Sequence, residues 1–389
     1  MRLFSIEELD RRVERFKSFL KGLEIDCAVL TSNLDLFYFT GSVQKGALII
    51  QTEGESVYFV RKNFDRACKE SPVIIEPWNN DSIKKMIKGR WSMPVDVTTV
   101  SEYLFFKKKF SIDTDGKDCS NALSLTKTVK SEEEIKLIER AGCINISIME
   151  YAKKIYHPGI TDIEIQAEIE SYAKKKLSHQ GLFWIRGSNM EGSMGLVVTG
   201  KDSLAPTYTD FPIGGVGLSP AVAQGASGVR VEKNFVIDFI GSSFGYCADS
   251  TRTFFVEKPD KKITEIYGQL NDLLEKTIEK VVPGVTGDEI YNFVLSEVDK
   301  YSWKDYFMGY HQKVKFIGHG IGTEVNQLPV IAPGQNLHFE NGMTFAVEPK
   351  IFLPDFGVIG VENTYVLNGG TLNSVTGDCS NIEDWIIVQ

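Results

Sequence analysis

The sequence predicts an α+β fold in two domains: a smaller α/β domain over residues 1–125, then a larger domain over 126–389 built from two similar halves. Three observations predict it. Helix-like and strand-like segments alternate through the first third. A polar, turn-rich stretch, SIDTDGKDCSNALSLTKTVKS, then marks a connection. Beyond it, a helix-Pro-Gly-helix unit occurs twice.

In the first domain, SIEELDRRVERFKSFLKGL carries a helical apolar period and leads to a strand, DCAVL. Three more strands are expected at LFYFTG, GALIIQ and SVYFVR, followed by a helix from Asn63. The repeat in the second domain needs no gap. Pro158-Gly-Ile-Thr161-Asp-Ile-Glu164-Ile165 returns 125 positions later as Pro283-Gly-Val-Thr286-Gly-Asp-Glu289-Ile290. The preceding helices match at the same offset, Ile138, Ile148 and Met149 falling against Ile263, Leu273 and Leu274. Each second helix opens on a capping box, Thr161 with Glu164 and Thr286 with Glu289, spaced to satisfy orphan helix N–H groups. A strand-rich block follows each helix pair, and a pseudo-twofold axis relating the halves explains the pattern.

Composition narrows the function. A chain of 389 residues with 42% hydrophobic content is long enough for two or three domains of ordinary size. The net charge of −9 and the lack of a basic run argue against a nucleic-acid partner. The N-terminal helix pattern is charged throughout and unlike a signal peptide, and no run is apolar and long enough for a membrane span. The six cysteines show no CxxC spacing, so free thiols and a cytoplasmic location are expected.

Chemistry gathers in the larger domain. Asp238 (VIDFIG), Asp249 (YCADSTRTF), His319 (FIGHGIG), Glu348 (TFAVEPK) and Glu362 (VIGVENTYV) lie on strand-like segments. Asp238 and Asp249 are joined through the turn-prone SSFG, and Glu348 and Glu362 through LPDFG, so each pair can meet across a hairpin. His319 is expected in a flexible glycine loop. Any one of these residues alone is ordinary, a solvated carboxylate or a turn histidine. Together they are more buried negative charge than a fold tolerates without cations. Two divalent ions about 3.5–4 Å apart would neutralise it and provide a nucleophile at neutral pH. Oxygen-rich coordination with one imidazole suits manganese first, with cobalt, iron or zinc as alternatives.

The motifs DFIGSSFGYCADSTRTF, GHGIGTEV, GMTFAVEPKIF and GVIGVEN resemble those of the creatinase/methionine-aminopeptidase superfamily, the pita-bread metallopeptidases. Within it the chain is similar to X-Pro dipeptidases and X-Pro aminopeptidases, and KSEEEIKLIERA and LFYFTGSVQKGALII extend the resemblance over essentially the whole length. The resemblance implies a pita-bread C-terminal domain behind a creatinase-type N-terminal domain, a homodimer, and a small peptide substrate. It also implies two metals bridged by Asp249 and Glu362. Asp238 would complete one metal, and His319 with Glu348 the other. Glu348 would handle the proton.

The chain departs from that pattern in three places. Thr207, followed by Tyr208, stands where the family has a histidine in a Pro-His context. Asn326, beside Gln327, replaces a second histidine, and Gly360 stands where X-Pro peptidases carry an arginine. Thr207, Tyr208 and Asn326 can donate hydrogen bonds to substrate, but none relays a proton near neutrality as histidine does. His311 is a candidate recruit from elsewhere, though a surface loop position is the plainer reading. Arg186, in GLFWIRGSN after Trp184, is a candidate to grip a substrate carboxylate or an ordinary strand-edge arginine. Met190 and Met194 lie in a glycine-rich stretch expected to form a mobile loop, with packing the default role for the methionines. Hydrolysis of an X-Pro bond is therefore the leading expectation. The alternatives are a related metalloenzyme acting on a non-peptide small molecule and a non-catalytic binding homologue.

Overall fold

The computed structural model describes residues 2–387 apart from 111, 113, 114, 182, 183, 187–193 and 210. Met190 and most of the expected glycine loop lie outside the described residues. The chain divides into two compact units, Met1–Lys127 with Arg186–Asn189, and Thr128–Ile185 with Met190–Gln389.

The first unit is a six-stranded mixed sheet in the order Ile75–Pro77, Ser56–Val60, Gly46–Gln51, Cys27–Leu30, Trp91–Met93, Lys117–Asp118. Strand alternation divides its core. Leu48 and Ile50 join a cluster with Phe16, Leu20 and Phe39, whereas Ala47 and Ile49 join Trp91, Phe106 and Phe110. Covering both faces is what makes this unit α/β. Helix Ile6–Gly22 forms as its period predicts. It buries Leu9, Val13, Phe16 and Leu20, and Ser5 caps the Glu8 amide.

LFYFTG is not a strand. It lies in helix Asn33–Thr40. Its aromatic run suggests β structure, but Ser32 accepts from the Asp35 amide at one end and Gly41, at φ 72°, closes the other. Those caps, together with burial of most of the helix surface, override the strand propensity of Phe and Tyr.

That helix buries Asp35 completely, and its carboxylate is paired with Lys127 Nζ at 2.9 Å and Arg186 Nη1 at 3.0 Å. Burial alone would raise the Asp35 pKa. The two cations override it and hold the group at about 2, against an ordinary 3.8. A depressed folded value means the stabilisation is present above the unfolded value and is lost as pH falls from about 4 towards 2. At neutral pH it amounts to about 2 kcal/mol. Asp35→Asn should therefore weaken hydrogen-exchange protection of strand Cys27–Leu30 at pH 7, and the gap from wild type should close as pH approaches 2. A gap independent of pH would show that packing, not charge, is what Asp35 contributes.

The second unit repeats as its sequence does. Helices Glu132–Ile155 and Lys261–Lys280 are each followed by a capped helix, Asp162–Leu177 and Gly287–Val298. Both capping boxes form, with Glu164 accepting from the Thr161 amide at 2.8 Å and Glu289 from the Thr286 amide at 2.8 Å. One core cluster, including Phe235, Phe254, Leu270, Phe345 and Ile359, runs beneath helices and strands of both halves.

Three sheets carry the site. Strands Gly195–Thr199, Asn234–Ser243 and Tyr246–Phe255 form an antiparallel set. The latter two are joined through Phe244 and Gly245, both at positive φ (49° and 81°), as a two-residue hairpin turn requires. Helix Glu132–Ile155 crosses this hairpin closely, because Gly241 has no side chain. A Cβ there would lie 2.2 Å from the Ala141 carbonyl oxygen. Five strands form a second sheet in the order Gln327–Ile331, Gly318–Gly320, Thr344–Val347, Asn363–Asn368, Thr371–Ser374, and Lys350–Leu353 pairs with Gly357–Gly360.

Candidate metal centre

The hairpin register brings the first carboxylate pair together. Asp238 lies opposite Thr251 and Asp249 opposite Ile240, which makes the two aspartates diagonal neighbours on one face. Glu348 and Glu362 stand immediately beyond the Val347–Asn363 pair, and the Lys350–Gly360 pair follows on the other side. His319 does not sit in a flexible loop. It occupies a short strand, Gly318–Gly320, held between two others. Its flanking glycines are there for packing, since a Cβ at Gly318 would lie 2.4 Å from the Ala346 carbonyl and one at Gly320 2.3 Å from that of Leu328.

Ligand-type atoms of Asp249, His319 and Glu362, all buried, lie within 4.8 Å of one another. The His319 Nδ1 faces the Gly320 carbonyl at 3.1 Å. A carbonyl only accepts, so Nδ1 carries a proton and Nε2 is the nitrogen turned towards the cluster. Glu348 Oε1 lies 3.4 Å from that Nε2. Neighbouring groups fix the frame. Thr251 Oγ1 donates to Glu362 Oε2 at 2.6 Å, and the Asp249 amide donates to Thr364 Oγ1 at 2.8 Å. The buried Arg252 guanidinium ties the Glu362 carbonyl, Asn363 Oδ1 and the Thr376 carbonyl together at 2.6–2.9 Å.

Lys350 is the residue that sequence reasoning did not single out. Its side chain is fully buried, and its ammonium contacts Glu348 Oε2, Glu362 Oε2 at 3.2 Å and Asp238 Oδ2 at 3.5 Å. It thereby touches three of the five expected ligands. The signal was present as a charged residue inside the strand-like run EPKIFL, two positions after Glu348 and so on the same pleat.

The electrostatics follow from this packing. Burial pushes the Asp249 carboxyl well above the usual range, reinforced by the negative charges of Glu362, Asp238 and Glu348. Burial also raises Asp238 and Glu362, although Lys350 pulls both back. Burial works against a charge on His319 and on Lys350. For each the surrounding carboxylates, Glu348 first, win and raise the pKa.

The donor set accepts one cation readily. Asp249 Oδ1 and Glu362 Oε1 are buried with no hydrogen-bond partner among the described residues, and both residues belong to the three-ligand cluster. The Lys350 ammonium contacts both Asp238 and Glu362, the carboxylates expected to share the second ion.

The substrate-side candidates are not joined to the cluster by hydrogen bonds among the described residues. Thr207 is buried, and its hydroxyl is engaged with Thr209 at 2.7 Å and Gln224 at 3.3 Å. Tyr208 and Asn326 are exposed. Arg186 belongs to the first unit, where Asp35 and Asp96 take its guanidinium, so no part of its fork is seen holding a free carboxylate site. Met194 is buried in the core, and His311 is exposed against the Tyr310 ring.

The model for metallopeptidase family M24 matches residues 136–368, well over half of the chain. The chain belongs to this family. The creatinase/prolidase N-terminal domain model matches residues 12–126. An Xaa-Pro dipeptidase of Pyrococcus horikoshii is 24% identical over 92% of this chain and 95% of its own. Another, from Lactobacillus helveticus, is 25% identical over 75% of this chain and 73% of its own. In fold, the M24 chain is similar to an Xaa-Pro dipeptidase from Bacillus anthracis (TM-score 0.79, 23% identity, 96% and 99% coverage). It is also similar to the N-terminal domain of the FACT complex subunit SPT16 from chickpea (TM-score 0.73, 15% identity, 99% and 100% coverage). No described helix is long and apolar enough to cross a membrane.

With burial of the Asp249 carboxyl, reinforced by its negative neighbours, as the dominant strain, Asp249→Asn should raise the melting temperature of the metal-stripped protein at neutral pH. It should also remove most of the gain that added Mn²⁺ gives the wild type. A variant that melts lower than wild type when stripped, and still gains from Mn²⁺, would place the strain elsewhere.

Proposed function

We propose that this M24 chain is a metal-dependent hydrolase of short X-Pro peptides, of prolidase or aminopeptidase P type. The observation that carries the reading is the convergence of Asp249, His319 and Glu362 around two unsatisfied carboxylate oxygens. Its support on the substrate side is the likeness to Xaa-Pro dipeptidases over about nine-tenths of the chain. A divalent cation bound by these residues, manganese first, supplies Lewis-acid activation of water and of the scissile carbonyl.

The protein's own groups divide the remaining work. Asp249 and Glu362 share the charge, and His319 presents Nε2 because Gly320 holds Nδ1. Glu348 Oε2 is held by Lys350, which leaves Oε1, on the His319 side, to take a proton from water and pass it to the leaving nitrogen. Thr207, Tyr208 and Asn326 stand where the family resemblance places oxyanion donors. Loss of one such donor typically costs about 10²–10³ in rate. Slow turnover is therefore expected. The same weak donors favour a second reading, a related reaction on a non-peptide small molecule.

A panel of X-Pro dipeptides and X-Pro tripeptides, assayed with Mn²⁺-loaded protein beside an Asp249→Ala control, tests the proposal. Release of the N-terminal residue should depend on Mn²⁺ and vanish in the control, and the length preference separates dipeptidase from aminopeptidase. Release that persists in Asp249→Ala would refute the assigned site. Silence from protein that demonstrably holds metal would transfer the assignment to the second reading.

A further inference from the structure

We propose that Lys350 is a built-in cation standing in place of one of the two metal ions, so that the site holds a single divalent ion at Asp249, His319 and Glu362. The inference rests on reading those three residues as a cation site, and it fixes how many ions the chain takes.

Position is the first argument. The Lys350 ammonium contacts carboxylate oxygens of Asp238, Glu348 and Glu362 at once. Of the expected ligands, it leaves only Asp249 and His319 without a direct lysine contact, and these are two members of the three-residue cluster. A metal bound through Asp238 Oδ2 and Glu362 Oε2 would bond them at about 2.0–2.2 Å. It would therefore have to share them with a like-charged group that already stands 3.5 and 3.2 Å away.

Charge is the second. Four carboxylates carry four negative charges, which two divalent ions alone would balance. With Lys350 in the cluster, two divalent ions would bring five positive charges against four, and one divalent ion brings three. One divalent ion with Lys350 leaves the carboxylates in slight excess, whereas two would need a further anion, such as a hydroxide, to balance the buried charge.

Space is the third. Lys350 pairs directly with Gly360, and a Cβ at Gly360 would lie 3.1 Å from Lys350 Cγ and 3.1 Å from Thr251 Cγ2. The lysine stem runs over the bare backbone of the position where the family resemblance expects an arginine. The side chain at 360 is gone, and the cation enters from the opposite strand, with its charge among the ligands.

The test counts ions and uses no substrate. The full-length protein is stripped with chelator, reloaded with Mn²⁺, dialysed, and measured by inductively coupled plasma mass spectrometry and electron paramagnetic resonance. Wild type should hold one Mn²⁺ per chain with the hyperfine pattern of an isolated ion. Lys350→Ala should double that to two, with an exchange-coupled spectrum. Two ions or none in wild type, or one in a folded Lys350→Ala, would overturn the proposal. Should Lys350→Ala not fold, anomalous diffraction from Mn²⁺-soaked wild-type crystals decides. One peak beside Asp249, His319 and Glu362 supports the proposal, and a peak between Asp238 and Glu362 refutes it. A protein that binds one ion yet cleaves no X-Pro peptide would sink the functional reading and leave this one standing.

Discussion

Negative charge removed from water has to be balanced, and the second unit is organised around that requirement. Asp249, Glu348 and Glu362 are almost wholly buried, and Asp238 retains only 18% side-chain exposure. Leaving such a group unpaired costs several kcal/mol. The fold answers with geometry first. Two hairpins and one short strand aim their side chains at a common point, and Thr251, Thr364 and Arg252 spend their hydrogen bonds holding those strands in register. It then answers with charge, through the Lys350 ammonium, while the Gly320 carbonyl orients the His319 ring towards the cluster.

Much of this arrangement was legible because it is periodic. The capping boxes at Thr161 and Thr286 announce themselves by spacing, and they mark the two halves before any contact is known. The carboxylates are readable for a related reason, since strand alternation and a two-residue turn leave few ways to place Asp238 and Asp249 except together. Where propensity conflicted with capping, the reading failed. The aromatic run of Asn33–Thr40 looks like a strand and folds as a helix because Ser32 and Gly41 cap it. His319 was misjudged for a similar reason. Glycine suggests mobility in a sequence, but here it permits backbones to close on a strand. Lys350 was hidden by its neighbours, because a lysine beside a proline reads as surface until the opposing glycine is known to leave it room.

A match over residues 136–368 settles the family, yet the same overall fold is found in a FACT subunit domain at 15% identity. A shared fold does not by itself fix the chemistry, which has to be read from individual atoms. Two of those atoms, the unpartnered oxygens of Asp249 and Glu362, point towards metal chemistry. The donors around Thr207 and Asn326 point away from the usual proton relay.

The pairing of Lys350 with Gly360 also bears on how the domain comes to be folded. Metal ions arrive from outside and depend on supply, whereas a lysine is present from the moment the chain is synthesised. Part of the neutralisation that lets these strands close is encoded in the polypeptide and cannot be withdrawn by a chelator. Scarcity of metal would then silence this protein without dismantling it.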